Sequence, residues 1–507
     1  MSRLFKNVAY NVLGQGIVLV LGFVGVKFIF SRLGPDAFGI IYFNLVLTGV
    51  LTTALELGVL STMVREVAAH SETDRAYVVR LIRTASGLYW GLGLILMLAI
   101  FVSAPFLVER WINLHQFDPG TAATMLRYLS VNALIFLPRA LYSSLFQGRQ
   151  RMELNNGIDV LSSAVQQFGL IAILARGGDA FLAVQWIAAS SVLSTTAYLV
   201  VAARLFGWRA LVPGYFRDVV QRNIGFTGHM GALSLINIVL QQFDKLVVSK
   251  LLPIASVGYY SFASTVVVRI SFAATAIAQA ALPSFSSLHR EGAGEPLLVQ
   301  YRKLQDLICY GMLPLFAAVA FGALPLYGYL FNPKVASLLL LPTVLLSLGF
   351  YLNATVNVPY TLSVAIGRPQ IASRSNALAL LVVLPVTTVL VVFYGLVGAA
   401  CSWIVYNLFL YAYMIPQICR ECVRVRSWTW YGHVARVLAL AALAYGSAWV
   451  LFVVPTAFST LSLVVAYLAA SVVFLAGALL LMGSELREAI WRLPRRLPIS
   501  GTGGVPR

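Results

Sequence analysis

The chain of 507 residues is too apolar for a soluble globular protein, because 60% of its residues are hydrophobic and 11% are charged, against about 25% charged in soluble domains. The formal charge of +18 does not indicate a nucleic-acid-binding domain, since the basic residues are scattered between apolar runs. Those runs are about 20 residues long and each can cross a membrane as a helix. The short alternating segments of a membrane β-barrel do not occur. We therefore predict an all-α polytopic membrane protein that contacts the lipid bilayer and binds no nucleic acid.

About fourteen membrane spans are predicted in chain order. They lie near 8–32, 38–63, 80–103, 122–146, 156–175, 181–204, 224–251, 256–282, 304–328, 336–362, 371–393, 396–419, 434–454 and 461–482. The predicted parts are an N-lobe of six helices (1–205), an interfacial linker (206–223), a C-lobe of six helices (224–419), two further helices (420–482) and a basic cytoplasmic tail (483–507).

The uneven distribution of lysine and arginine sets the predicted orientation. With a cytoplasmic N-terminus, most of the 36 basic residues fall in or beside cytoplasmic segments. Few face outward, namely Arg32, Arg110, Arg176, Lys250 and Lys334. Both termini are therefore predicted to be cytoplasmic. Since each lobe has an even number of spans, the lobes run in parallel and are related by a pseudo-two-fold axis along the membrane normal, with the transport path between them.

An internal repeat supports this organisation. KFIFSRLGPDAFG, from Lys27 to Gly39, is similar to KLVVSKLLPIASVG, from Lys245 to Gly258. Each copy ends one apolar run, makes a tight turn and begins another. Weakly repeated helical halves are typical of secondary transporters.

Four basic residues inside predicted spans are candidates for binding an anion, since a charge at the bilayer centre costs about 2.5–3.5 kcal/mol. Arg269 lies about 20 Å along helix eight, where we expect it to line a water-filled cavity or to form a buried pair. Lys27 and Lys245 lie only about 7 Å below the outward surface. A lysine stem can reach the interface from there, so a cavity role and simple anchoring both stay open. Arg139 lies about 10 Å from the cytoplasmic end of helix four.

The embedded carboxylates Glu56, Asp159 and Asp244 are candidates for coupling transport to a proton or a sodium ion. Asp244 is the first choice because it directly adjoins the repeated segment. It adjoins Lys245, but neighbours on a helix point in different directions and need not pair. The bases outnumber these acids, which favours an anionic ligand.

Catalytic and metal-binding motifs are not recognisable. Cys419 and Cys422 form one C-x-x-C without the second pair that a zinc site needs. We therefore predict no enzyme activity, no metal and no cofactor. The short outward loops also weigh against an enzyme or scaffold that needs an exposed surface.

The stretches MSRLFKNVAYNVLGQG, SRLGPDAFGIIYF and QQFDKLVVSKLLPIASVGYYSFA resemble the polysaccharide transporter family, which includes the Wzx-type O-antigen flippases. Its superfamily also contains lipid II flippases and multidrug and toxin extruders. The resemblance covers the first twelve helices.

This resemblance implies a flippase of the bacterial inner membrane. Its substrate would be a polyprenyl-diphosphate-linked oligosaccharide, such as an O-antigen, capsule or exopolysaccharide repeat unit, moved to the periplasmic leaflet by alternating access. Lys27 and Arg269 lie on helices where relatives carry cavity bases. We expect a monomer, with room for contacts to a polysaccharide polymerase or other assembly proteins. Two alternatives stay open. One is an ion-coupled multidrug exporter, although such an exporter is expected to have an acid-dominated cavity. The other is a non-transport component of polysaccharide assembly.

Overall fold

The computed structural model describes residues 3–487 except 57, 115–116, 456–458 and 485. Over these residues it is helical throughout, apart from turns and one isolated bridge between Asn113 and Pro253, so the all-α prediction is confirmed. The predicted tail from residue 488 onward lies outside the described residues. The helices are α1 (Arg3–Glu56), α2 (Val59–His70), α3 (Arg75–Arg110), α4 (Pro119–Leu129), α5 (Val131–Gly148), α6 (Met152–Ala175), α7 (Ala180–Phe206), α8 (Trp208–Leu211), α9 (Arg217–Leu251), α10 (Ile254–Ala280), α11 (Leu282–Arg290), α12 (Gly294–Leu330), α13 (Pro333–Ala365), α14 (Pro369–Ile418), α15 (Ser427–Ala441), α16 (Ser447–Phe452) and α17 (Thr460–Leu481).

Eleven helical segments among the described residues are long and apolar enough to cross a membrane. Two of them each contain a break at a glycine with positive φ, at Gly34 in α1 and at Gly395 in α14, and each covers two predicted spans. The seventh predicted span coincides with α9, a helix of 35 residues. The described residues of the roughly fourteen predicted spans are therefore mainly helical, with the second span interrupted at Gly58 between α1 and α2.

The break in α1 follows from the Gly-Pro pair in the first copy of the repeat. Gly34 has φ 82° and ψ 176°, a conformation that a residue with a Cβ rarely adopts. Pro35 then starts the next helical stretch, because its fixed φ suits a first turn where its missing N–H is not needed. In the second copy, α9 ends at Leu251 and α10 begins at Ile254. Both copies therefore make the predicted turn between helices.

The described chain divides into two compact units. The first contains the residues up to Phe262 together with 328–335 and 384–399, and the second contains the remaining described residues. The bounds of the six-helix lobes and their symmetry axis stay predictions.

The core of the first unit lies where α3, α5 and α7 pack together. Tyr89, Tyr142, Phe146 and Tyr198 are among its fully buried side chains. The hydroxyl of Tyr142 accepts a hydrogen bond of 3.0 Å from the indole of Trp90. A polar group taken out of water needs such a partner. This packing positions α5 and α7, which carry Arg139 and Tyr198.

Candidate functional site

Arg139 and Asp159, predicted separately as a base and an acid, form one ion pair in the first unit. The Nη2 atom of Arg139 on α5 lies 2.7 Å from Oδ1 of Asp159 on α6. Tyr198 on α7 donates its hydroxyl to the same oxygen at 2.9 Å, and the guanidinium carbon of Arg139 lies 5.5 Å from the tyrosine ring. The charge of Arg139 is therefore compensated, and the three side chains tie three helices together.

Asp244 and Lys245 form a second ion pair, although they are neighbours on α9. The Nζ atom of Lys245 lies 3.5 Å from Oδ1 of Asp244 and donates to the backbone carbonyl of Gln241 at 3.1 Å. Tyr260 on α10 donates its hydroxyl to Oδ2 of Asp244 at 2.7 Å. The exposed fractions of the lysine and aspartate side chains are 9% and 3%. The pair forms because the long lysine stem folds back along its own helix.

Lys27, the repeat partner of Lys245, has different surroundings. Its Nζ atom lies 3.2 Å from the centroid of the Tyr329 ring, a cation–π contact, and the side chain is half-buried. Among the described residues no carboxylate lies within ion-pair distance of it. The aligned lysines are therefore not equivalent, since Lys245 is paired with a carboxylate and Lys27 with an aromatic face.

Arg269 lies on α10 in the second unit and is half-buried. Its guanidinium carbon is 6.0 Å from the ring of Phe272. The neighbouring face of α10 lines an apolar groove of about 450 Å³ against α12. Small side chains on α12 leave this space, including Ala318 and Gly322, and a Cβ placed on Gly322 would meet no atom within 4 Å. Arg269 thus sits beside a hydrocarbon-lined depression.

The last candidate carboxylate is Glu56. Its backbone ends α1, and its side chain lies outside the described residues. The described part of the chain contains no group of three or more His, Cys, Asp or Glu residues that could hold a metal ion.

Comparison with known proteins identifies the family. The family described as "Polysaccharide biosynthesis protein" matches residues 4–289, more than half of the 507 residues. The chain belongs to this family.

One relative of the chain is named as a transporter. A protein of Shigella flexneri described as "Putative O-antigen transporter" is 22% identical over 441 residues, which cover 82% of this chain and 98% of that protein. This agrees with the prediction of a transporter rather than an enzyme.

Two solved structures show the same fold. The lipid II flippase MurJ in an inward closed conformation has a TM-score of 0.67 at 12% identity and covers 96% of this chain and 99% of its own. An inward-facing multidrug resistance MATE family transporter of the MOP superfamily has a TM-score of 0.64 at 16% identity, covering 81% and 98%. At these identities the likeness shows the fold. The protein is a multi-pass membrane protein with the fold of the MOP superfamily.

In this polysaccharide biosynthesis protein the two copies of the repeat lie against each other. A Cβ on Gly39 would lie 2.3 Å from the backbone oxygen of Ile254, and a Cβ on Gly258 would lie 2.5 Å from a ring carbon of Phe38. Gly258 also approaches the Cα of Gly39, because its Cβ position is 3.2 Å from that atom. Only glycine permits so close an approach of two backbones.

Hydrogen bonds hold the turn of the second copy from the side. The indole of Trp111 donates to the hydroxyl of Ser249 at 2.9 Å. The backbone N–H of Ile254 donates to the carbonyl of Asn113 at 3.0 Å, and the Asn113 amide donates to the carbonyl of Lys250 at 3.3 Å. The segment after α3 thus stabilises the α9–α10 turn by hydrogen bonds, on the predicted outward side.

Aromatic rings fill the space beside this contact. Phe331 lies 5.0 Å from Phe30, 5.4 Å from Phe38 and 5.5 Å from Tyr259, measured between ring centroids. Edge-to-face ring pairs of this kind contribute about 0.5–1.5 kcal/mol each beyond their buried area.

Sequence reasoning located the charged residues but missed their tyrosine partners, Tyr198, Tyr260 and Tyr329. Each partner lies on a different helix from the charge that it contacts, so helical spacing gives no signal for it. The only signal is a hydroxyl-bearing ring inside an apolar span, which needs a polar partner when buried.

Proposed function

We propose that the protein moves a polyprenyl-diphosphate-linked oligosaccharide from the cytoplasmic to the periplasmic leaflet of the bacterial inner membrane by alternating access, with both termini cytoplasmic. The oligosaccharide is an O-antigen, capsule or exopolysaccharide repeat unit. The observation that carries this proposal is the family match, and the relative named as an O-antigen transporter, matched over 98% of its length, supports it.

The embedded bases support an anionic substrate. A diphosphate does not cross hydrocarbon unaided, and a guanidinium can hold phosphate oxygens with two parallel hydrogen bonds. We assign this role first to Arg269, which is half-buried beside an apolar groove. Lys27 binds the diphosphate next. Its partner is an aromatic ring, and among the described residues no carboxylate lies at ion-pair distance from it.

In this proposal Arg139 and Lys245 bind the diphosphate only after their carboxylate partners have released them. Each is held by a carboxylate, so a diphosphate has to displace Asp159 or Asp244 to bind there. Protonation or sodium binding at the carboxylate would release the base, which links substrate binding to an ion gradient. Through this release of the base, Asp159 and Asp244 couple transport to a proton or sodium gradient, the role that the sequence suggested for them.

A reconstituted transport assay tests the proposal. The purified protein is placed in liposomes with a fluorescent polyprenyl-diphosphate-linked oligosaccharide, and an impermeant reagent reports which leaflet holds the label. We expect the label to move faster than in protein-free liposomes, and a matched label on a neutral lipid to stay in place. Transport of lipophilic cations without movement of the labelled lipid would favour the multidrug-exporter alternative and contradict the proposal.

A further inference from the structure

The turn between α14 and α15 lines an open surface pocket of about 620 Å³ in the second unit. Three arginines line it within seven positions of the chain: Arg420, Arg424 and Arg426. Its other lining residues are Pro416, Gln417, Val425 and Ser427. No carboxylate is among these residues, so the lining carries three positive charges.

The backbone of this turn is held in a shape that brings the arginines together. After α14, Cys419–Val423 make one π-helical turn, and Arg424 then adopts φ 57° and ψ 37°. This left-handed conformation is unfavourable for a residue with a Cβ. The N–H of Val425 donates to the carbonyl of Cys419 at 3.1 Å and closes the turn. The wider π turn followed by the reversal places residues 420, 424 and 426 around one space.

Glu421 lies within the turn and interacts with two arginines. Glu421 accepts a hydrogen bond of 2.9 Å from Nη1 of Arg368, and its contact with Arg420 is longer, at 3.5 Å. Three like charges around one cavity repel each other unless an anion lies between them. No carboxylate lines the pocket, and of its three arginines only Arg420 forms an ion pair among the described residues, with Glu421, so the pocket has the electrostatics of an anion site.

The position of the turn indicates the kind of anion. Trp428 directly follows the cavity, is 81% exposed and lies 5.7 Å from the ring of Tyr431. Tyr431 is half-buried. Tryptophan and tyrosine at the end of an apolar helix are typical of the membrane–water interface, at the level of the lipid headgroups. Basic pockets at this level on the cytoplasmic side bind phosphate-bearing headgroups.

We propose that the α14–α15 arginine pocket binds the phosphate of a lipid headgroup in the cytoplasmic leaflet. Two lipids supply this chemistry, an anionic phospholipid and a polyprenyl diphosphate. The choice of leaflet rests on the proposed orientation with both termini cytoplasmic, whereas phosphate binding in the pocket does not depend on the proposed transport activity.

The test uses the full-length protein in nanodiscs of a zwitterionic lipid, with phosphatidylglycerol or undecaprenyl diphosphate added. Bound lipid is counted by native mass spectrometry. The pocket variant is Arg420→Gln, Arg424→Gly, Arg426→Gln, in which glycine keeps the left-handed turn without strain. The control variant is Arg290→Gln, Arg302→Gln, Arg374→Gln, which removes the same charge from three exposed positions of the same unit.

We expect the pocket variant to bind one of the two lipids at least about tenfold more weakly than the parent, since hydrogen bonds to charged groups are the strong ones. The control variant is expected to bind as the parent does. The lipid whose binding falls is the ligand. Equal weakening in both variants would show a general effect of charge and overturn the proposal, as would a parent protein that retains neither lipid. The single variant Arg424→Gly separates loss of the ligand from loss of the fold. We expect its denaturation midpoint to be unchanged and its lipid binding to be weaker.

Discussion

Replacing Asp244 by asparagine would leave the charge of Lys245 buried without a counter-ion. The exposed fractions of the two side chains are 3% and 9%, so solvent screens this pair little. Removing one partner of a buried ion pair costs about 3–5 kcal/mol. We therefore expect Asp244→Asn to lower the free energy of unfolding by about this amount, and Tyr260→Phe to lower it by about 1.5–3 kcal/mol through loss of a hydrogen bond to a charged group.

The assay is denaturation of the purified protein in a mild detergent, for the parent, both single variants and the double variant Asp244→Asn, Lys245→Gln. The double variant removes both charges together, so we expect it to recover most of the stability that Asp244→Asn loses. In liposomes, this double variant is also expected to respond more weakly than the parent to an imposed ion gradient, since it is folded but keeps Asp159 as the only one of the two proposed coupling carboxylates.

An Asp244→Asn protein as stable as the parent would refute the electrostatic reasoning, because Lys245 would then not depend on its neighbour. A double variant no more stable than Asp244→Asn would refute it as well. If the double variant is stable and responds to the gradient as strongly as the parent, the pair is structural and the coupling role of Asp244 is wrong.

Other predictions concern the remaining candidates. Arg269→Ala is expected to abolish export while the protein stays in the membrane, and Arg269→Lys to retain part of it, since the charge survives without the bidentate geometry; normal surface glycan from a well-expressed Arg269→Ala strain would exclude the role. Lys27→Gln is expected to slow export and Lys27→Arg to preserve it, whereas equal export by both would show that Lys27 only anchors the helix. In a cysteine-free background, a cysteine at Gly177 is expected to react with an impermeant thiol reagent in intact cells and one at Ser71 to stay unlabelled, and the reverse would invert the orientation.

The helices were predictable from the sequence because apolar length alone determines what can cross a bilayer as a helix. The pairing inside the first unit was not predictable in the same way. Arg139 and Asp159 lie on consecutive helices, and nothing in their spacing shows that the side chains meet at 2.7 Å. Lys27 and Tyr329 are far apart in the chain, so their contact depends on tertiary packing.

Asp244 and Lys245 show a different limit of sequence reasoning. Directions on an ideal helix predict that neighbours diverge, and this holds for their Cβ atoms. The lysine stem has enough freedom to return to the Gln241 carbonyl and to reach the adjacent carboxylate. In a buried site, the cost of an unpaired charge outweighs the side-chain entropy lost in that return.

Alternating access requires a contact that is firm in one state and easily broken in another. The meeting of Gly39 and Gly258 fits this requirement, since two glycines bring backbones close together without interlocking side chains that would hold them. The ring cluster around Phe331 and the hydrogen bonds of Trp111 and Asn113 supply the stabilisation that glycine lacks. Those groups are polar or aromatic and can exchange their partners for water or headgroups at the interface. On our proposed orientation the contact lies on the outward side, so the copies of the repeat would separate when substrate leaves and meet again when the empty protein resets.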